Sequence, residues 1–459
     1  MPNYKFNALL QNEGWISPAY VQTDDVGKIT YLSDQPEKGI RYENVNGFAI
    51  PGFQNAHSHA FQYAMAGIAE KHNTGGNNDD FWSWRETMYK IALTLDPEQL
   101  ENIATMLYSE MVRHGYTQVA EFHYLHHDKD GKPYQNIAEM GQRLINAAKS
   151  SGIKITLVPM FYQKGGFGMK PQSHQRRFIS ETIADYYHLL EETKEATKSY
   201  SGANYGFGIH SLRAVAPNDI ISSIEQLKVD IPIHIHIAEQ LKEIKDAKNY
   251  LGTRPVEWLL KNCEVNNNFH LVHATHLTDA EVEGIAKSGA HVVLCPSTEG
   301  NLGDGLFPLQ KFQNSGGKWS IGTDSHIGIN PLEELRLLDY GQRLTTHKRN
   351  VYQSNEEQDS GKYALHQALI SGRKAMNNLK IEYFEIGQAL DAVIYDADYP
   401  IFSSTSLENM VSSIIYCGDT SSSIGTLIDG KWVVKNGIHT NQSKIRAGFI
   451  ESIKELDIR

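Results

Sequence analysis

Eight short apolar runs recur through the middle of this chain, most of them separated by segments with helical periodicity. The runs cover residues 48–57, 117–123, 153–161, 204–210, 231–239, 269–276, 291–298 and 318–325. Apolar runs of this length read as strands covered on both faces. Between them, PEQLENIATMLYSEMVRHG, IAEMGQRLINAAKSSG and DAEVEGIAKSG place apolar residues at helical spacing. Each ends on a glycine, the residue that closes a helix in the left-handed conformation. A helix after each strand carries the chain back across the sheet, so successive strands run parallel. Eight such units predict an α/β fold, a (β/α)8 TIM-type barrel with an outer ring of helices. A doubly wound open sheet is the alternative.

The two ends of the chain have a different texture. Residues 1–50 read as short strands and turns, with a hairpin around Asp25-Val-Gly27. Residues 385–459 repeat that texture in ALDAVIYDAD, VSSIIYCGD and IGTLIDGKWVVKNG, where Asp429-Gly430 marks a second hairpin. The expected organisation is a catalytic barrel over 51–384 and one small β domain made from 1–50 and 385–459.

Composition narrows the function classes. The chain has 459 residues, enough for a large core, and a formal net charge of -11. That balance argues against nucleic acid and anionic membrane, which select basic faces. The three cysteines, Cys263, Cys295 and Cys417, have no paired spacing and point to a reducing compartment. The opening residues lack an apolar leader, and no apolar run reaches membrane-spanning length. The expectation is a cytoplasmic protein acting on a small molecule.

In a parallel barrel the active groups sit at the carboxyl ends of strands. Those ends carry His57 and His59, Glu121 and His123, His210, His236 and Glu239, His273 and His276, Ser297, and Asp324 with His326. Residues i and i+2 of a strand share a face, so His57 and His59 aim at one point. A third histidine, His236, and the carboxylate of Asp324 would complete a His₃Asp set with one position open, the catalytic pattern for zinc. Iron, manganese or cobalt suit the same donors. His234 shares the strand face of His236 but lies deeper, and reads as a packed histidine. Glu239 follows His236 by three residues and can reach the same point without ligating, as a proton shuttle does. His273 would face it from the next strand, and His276 reads as a loop residue. Residues 70–80, EKHNTGGNNDD, read as a mobile loop.

The order of these residues resembles the amidohydrolase superfamily: His-x-His on strand one, His on strands five and six, Asp on strand eight. Five longer blocks, NAHSHAFQYAMAGIAE, DDFWSWRETMY, GYTQVAEFHYLHHDKDG, GIHSLRAV and IHIAEQ, resemble its formimidoylglutamate deiminase family. The resemblance covers essentially the whole chain. It implies a barrel with a small β-sandwich built from both chain ends. It also implies hydrolysis of N-formimino-L-glutamate to N-formyl-L-glutamate and ammonia, in histidine degradation. Implied as metal ligands are His57, His59, His236 and Asp324, and as catalytic groups Glu239, His273 and Asp324. Many binuclear members carry a lysine at the end of strand four; here that end reads Phe-Gly-Ile-His210-Ser-Leu-Arg213, which implies one divalent ion, Zn2+ by default, with Fe2+ or Mn2+ as alternatives. Members often pair, so a homodimer is expected.

The implied substrate carries two carboxylates, and two carboxylates call for two well-placed cations. Arginine suits this because its planar fork binds a carboxylate bidentately. Arg85 and Arg213 match the family's substrate-binding positions, as do Gln62, Tyr124 and His210. Arg85 follows the 70–80 loop, which would make that loop a lid. A deaminase of the same fold acting on a purine, pyrimidine or guanidino compound is the rival, as is a barrel that has lost catalysis.

Overall fold

The structure, a computed structural model, describes residues 2–70 and 81–456, with side chains from residue 84 onward in the second stretch. The region 71–80, on which the lid expectation falls, lies outside the described residues. Eight parallel strands form the nearly closed barrel: Phe53–Ser58, Tyr116–His123, Lys154–Phe161, Phe207–Ser211, Ile233–Ile237, Phe269–His273, His291–Leu294 and Lys318–Ile321. They pair in sequence order with parallel register. The ring closes just beyond the eighth strand, where the backbone N–H groups of Thr323 and Asp324 both donate to the His57 carbonyl at 3.1 Å. Gly322 makes that closure sterically feasible, since a Cβ there would stand 2.7 Å from the His57 Cβ. The first and eighth strands are therefore drawn together where His57 and Asp324 emerge.

The helices follow the expected pattern. Pro97–Arg113, Glu139–Ser151 and Asp279–Ser288 are helical, and Gly115, Gly152 and Gly289 beyond them have positive φ. Asp96 and Thr278 cap the first and third of these, each accepting from the backbone N–H three residues on. Each helix lays its apolar face on the barrel, whose core is aliphatic and aromatic: Ile155, Leu157, Ile235, Leu271, Val292 and Trp319 are essentially inaccessible.

Three strand expectations change. The 48–57 run is divided at Gly52: Glu43–Pro51 belongs to the terminal sheet, and only Phe53–Ser58 enters the barrel. The 204–210 run breaks at Gly206 into Ala203–Tyr205 and Phe207–Ser211. The seventh strand stops at Leu294, because Pro296 opens a helix over Pro296–Leu302 and places Ser297 in it.

The terminal sheet takes strands from both chain ends, with Ala392–Asp396 antiparallel to Glu43–Pro51 and the latter parallel to Asn3–Gln11. Both hairpins are present: Ala19–Thr23 pairs with Ile29–Ser33, and Ser423–Ile428 with Lys431–Lys435 through Asp429 and Gly430. The C-terminal part also holds helices that the sequence reading did not anticipate, Met410–Cys417 and Gln442–Leu456; the second packs on Pro97–Arg113. Lys154, in the third barrel strand, joins the units by pairing with Asp391 at 2.5 Å and Asp429 at 2.8 Å. No helix among the described residues is long and apolar enough to cross a membrane.

Candidate active site

At the mouth of the barrel three imidazoles converge. His57 Nε2 lies 3.1 Å from His59 Nε2 and 3.1 Å from His236 Nε2, and the last two are 3.3 Å apart. Asp324 Oδ1 stands 3.4 Å from His57 Nε2 and 3.3 Å from His59 Nε2. Zinc–nitrogen bonds of about 2.0–2.1 Å put tetrahedral ligand atoms roughly 3.3 Å apart, which is the spacing seen here.

The other ring nitrogens fix the tautomers. His59 Nδ1 lies 2.6 Å from the Phe122 carbonyl and His236 Nδ1 3.0 Å from the His210 carbonyl. A carbonyl only accepts, so both Nδ1 atoms carry the proton and both Nε2 lone pairs point inward. Burial pushes the His57 pKa down to about 3 and also lowers those of His59 and His236, favouring the neutral, ligating form. Burial works to raise the Asp324 pKa, but the hydrogen bond from His57 and the surrounding imidazoles outweigh it and hold the carboxyl below its usual range. Converging lone pairs beside a carboxylate repel one another unless a cation lies between them. The residues fit a divalent ion.

Two side chains that sequence reasoning placed only at strand tips turn out to brace this turn. Glu121 accepts from Ser58 Oγ at 2.5 Å and from the Ala60 N–H at 2.6 Å. His326 Nε2 accepts from the His59 N–H at 3.2 Å, while its Nδ1 meets Thr323 Oγ1 at 2.9 Å. His123 ends its strand buried against the Glu139–Ser151 helix at Gly141, 4.9 Å from the His126 ring, and joins neither group. His276 lies past the strand end, as expected. His234 is a packed histidine, with Nε2 on the Ala375 carbonyl at 2.8 Å.

Glu239 directly precedes Gln240, the residue before the Leu241–Leu251 helix, and is 4 % exposed. Its Oε1 is 3.9 Å from His273 Nε2 and its Oε2 3.8 Å from Arg213 Nη2. Burial raises its pKa, against the pull of His273 and Arg213. His273 shows the converse: burial opposes its charge, but Glu239, Glu299 and Asp324 raise its pKa to about 10. Ala238, His273, Ala274, Asp324 and His326 all have positive φ. Such backbone persists only where surrounding contacts over-determine it, and here it turns side chains at strand ends toward one centre.

A cavity opens directly above, with His59, His236, Glu239, His273 and Asp324 in its wall. The remaining wall includes Gln62, Arg85, Tyr124, His210 and Arg213, so all five sequence-derived substrate positions face it. Gln62 Nε2 donates to Tyr124 Oη at 2.8 Å, which leaves the buried Gln62 Oε1 without a hydrogen-bond partner. Arg213 Nη1 is likewise buried and unpartnered. The Arg85 guanidinium stands 5.2 Å from the centre of the Tyr89 ring. Beyond lies an outer cavity of about 630 Å³, and Arg85, Tyr162, His210 and Arg213 line both. The arginines thus mark the passage between them. Among the described residues a second donor group, His273, Cys295 and Asp324, shares Asp324 with the first.

The amidohydrolase family profile matches residues 48–433. The chain is 42 % identical over 415 residues to formimidoylglutamate deiminase of Pseudomonas aeruginosa, covering 90 % of each chain. The crystal structure of an amidohydrolase from Brucella melitensis superposes with a TM-score of 0.93 at 38 % identity, covering 99 % of this chain and 100 % of that one. An adenosine deaminase from Xanthomonas campestris with bound zinc shares the fold, with a TM-score of 0.80 at 19 % identity over 99 % of this chain and 98 % of that one.

Proposed function

The chain belongs to the amidohydrolase family, and from that premise we propose how its site hydrolyses the formimino group of N-formimino-L-glutamate, giving N-formyl-L-glutamate and ammonia in histidine degradation. The observation that carries the substrate assignment is Arg213. Its Nη1 is buried and unpartnered, and it shares a cavity wall with His59, His236 and the unligated Glu239. Glu239 stands near Nη2 at 3.8 Å, but a buried donor left without a partner is costly, so Nη1 is kept for an anion that arrives with the substrate. Arg213 takes one carboxylate and Arg85, half-buried at the passage, takes the other. Gln62 Oε1 accepts an N–H of the substrate, and Tyr124 and His210 close the pocket around the carbon chain.

His57, His59, His236 and Asp324 hold one divalent ion, zinc by the chemistry of the donors, and when bound it supplies a Lewis acid that acidifies water. Glu239, its pKa raised by burial, enters the step as the acid and gives its proton to the imine nitrogen as water adds to the formimino carbon. Asp324 and His273 orient that water, and its proton returns to Glu239. The carbon now bears a hydroxyl and an amino group. Glu239 passes its proton to the amino nitrogen and recovers one from the hydroxyl as the C–N bond breaks, so ammonia leaves and the carboxyl ends as it began. Binding energy from the two carboxylates positions the carbon without taking part in bond making. A homodimer in the cytoplasm completes the reading. Ammonia release should be seen with N-formimino-L-glutamate and not with guanine, cytosine or adenosine; turnover of a nucleobase alone would overturn the substrate assignment.

A further inference from the structure

The reaction drawn above leaves one buried carboxylate beside the site unused. Glu299 lies in the first turn of the Pro296–Leu302 helix, which follows the seventh barrel strand. Its Oε1 is 3.2 Å from His273 Nδ1 and accepts from the Cys295 N–H at 2.9 Å. That amide is one of the N–H groups a helix start leaves without an internal partner, so the helix itself anchors the carboxylate. On the far side of the ring, His273 Nε2 faces Glu239 Oε1 at 3.9 Å and Asp324 Oδ2 at 3.8 Å. The ring needs such an anchor, because its own backbone is left-handed, with φ of 67°. The same segment reaches Glu239 as well. Asp304 donates its N–H to the Glu299 carbonyl at 2.9 Å, and its side chain accepts from Gln240, the neighbour of Glu239.

We propose that Glu299 is a positioning residue: its carboxylate holds the Nδ1–H of His273, so that Nε2 points into the gap between Glu239 and Asp324. This deepens the function proposed above and rests on it. An imidazole without that anchor is free to turn its ring, and a turned ring presents the wrong atom to the reacting water.

A double-mutant cycle tests the idea in the metal-loaded enzyme. Glu299→Ala should lower kcat by about 10- to 100-fold, with KM and metal content unchanged. Glu299→Gln should recover most of the loss, because its amide oxygen can take the same two N–H groups. In a His273→Ala background the Glu299→Ala change should cost nothing further, since the residue acts through the ring. Equal losses in both backgrounds, or a loss confined to KM, would overturn the proposal. The nitrogen NMR spectrum of the His273 ring gives a readout independent of turnover. Glu299→Ala should move the Nδ1 signal away from that of a hydrogen-bonded N–H, and an unchanged ring would also overturn the inference. Absence of ammonia release by the unmodified enzyme would count against the proposed reaction, while the ring spectrum would still decide the role of Glu299.

Discussion

One buried histidine cluster lies at the mouth of the barrel and another at its floor, and they do opposite things. At the mouth, His57, His59 and His236 bring their Nε2 atoms within 3.1–3.3 Å of one another beside Asp324. At the floor, His234, His270 and His291 stack with ring centres 5.0 and 5.2 Å apart, and no carboxylate joins them among the described residues. His234 and His236 are two residues apart on one strand face and both are buried. Residue type and burial therefore do not make a metal site. Convergence of lone pairs, a carboxylate and an opening to a cavity do, and only the mouth has all three.

The largest effects should separate the two clusters outright. Asp324→Asn or His236→Ala should leave purified protein with less than half an equivalent of metal and activity at background, whereas His234→Ala should keep both. If the floor variant lost its metal, the distinction would fail. Glu239→Gln keeps every ligand but lacks the acid, so kcat should fall by about 10²- to 10⁴-fold with metal content unchanged. A rate near that of the unmodified enzyme would remove Glu239 from the chemistry. Arg213→Met removes a charged hydrogen-bond donor worth about 1.5–3 kcal/mol, which corresponds to a KM raised by roughly 10- to 150-fold with a smaller change in kcat. An unchanged substrate dependence would put the carboxylate elsewhere.

The smallest effect sharpens the floor side. Burial lowers the pKa of His234 and His291 to about 4. Between that value and the unfolded value of about 6.5 the unfolded chain binds more protons than the folded one. Stability is therefore fully present above pH 6.5 and declines as pH falls toward 4. His291→Gln should flatten that decline by about one bound proton, read from urea unfolding at a series of pH values. A slope identical to that of the unmodified protein would mean His291 is not kept neutral by the fold.

Much of this was legible in the residues. The strand–helix alternation, with helices ending on Gly115, Gly152 and Gly289, carried the barrel. The hairpins at Asp25–Gly27 and Asp429-Gly430 were visible from turn chemistry alone. Strand boundaries were less so, because an apolar run does not announce which sheet it joins; Gly52 separates two sheets inside one run, and Pro296 was the available signal that the seventh strand had ended. Glu121, His326 and Glu299 were harder. Each acts through a partner far away in the chain or across a turn, and a lone Glu or His has no periodicity to mark it.

From the chain alone came the type of fold, the order of the titratable groups along it, and the depth of His234 below His236, because side-chain direction in a strand follows from position. Tertiary structure decided which of those groups meet. The close approach at Gly322 depends on strands from opposite ends of the barrel sequence closing on each other, and the left-handed backbone at Ala238, His273 and Asp324 and the unpartnered Nη1 of Arg213 lie where several strand ends meet at one mouth. Distances of a few ångströms between residues hundreds of positions apart are set by how the ring shuts, and no local pattern of residues encodes that.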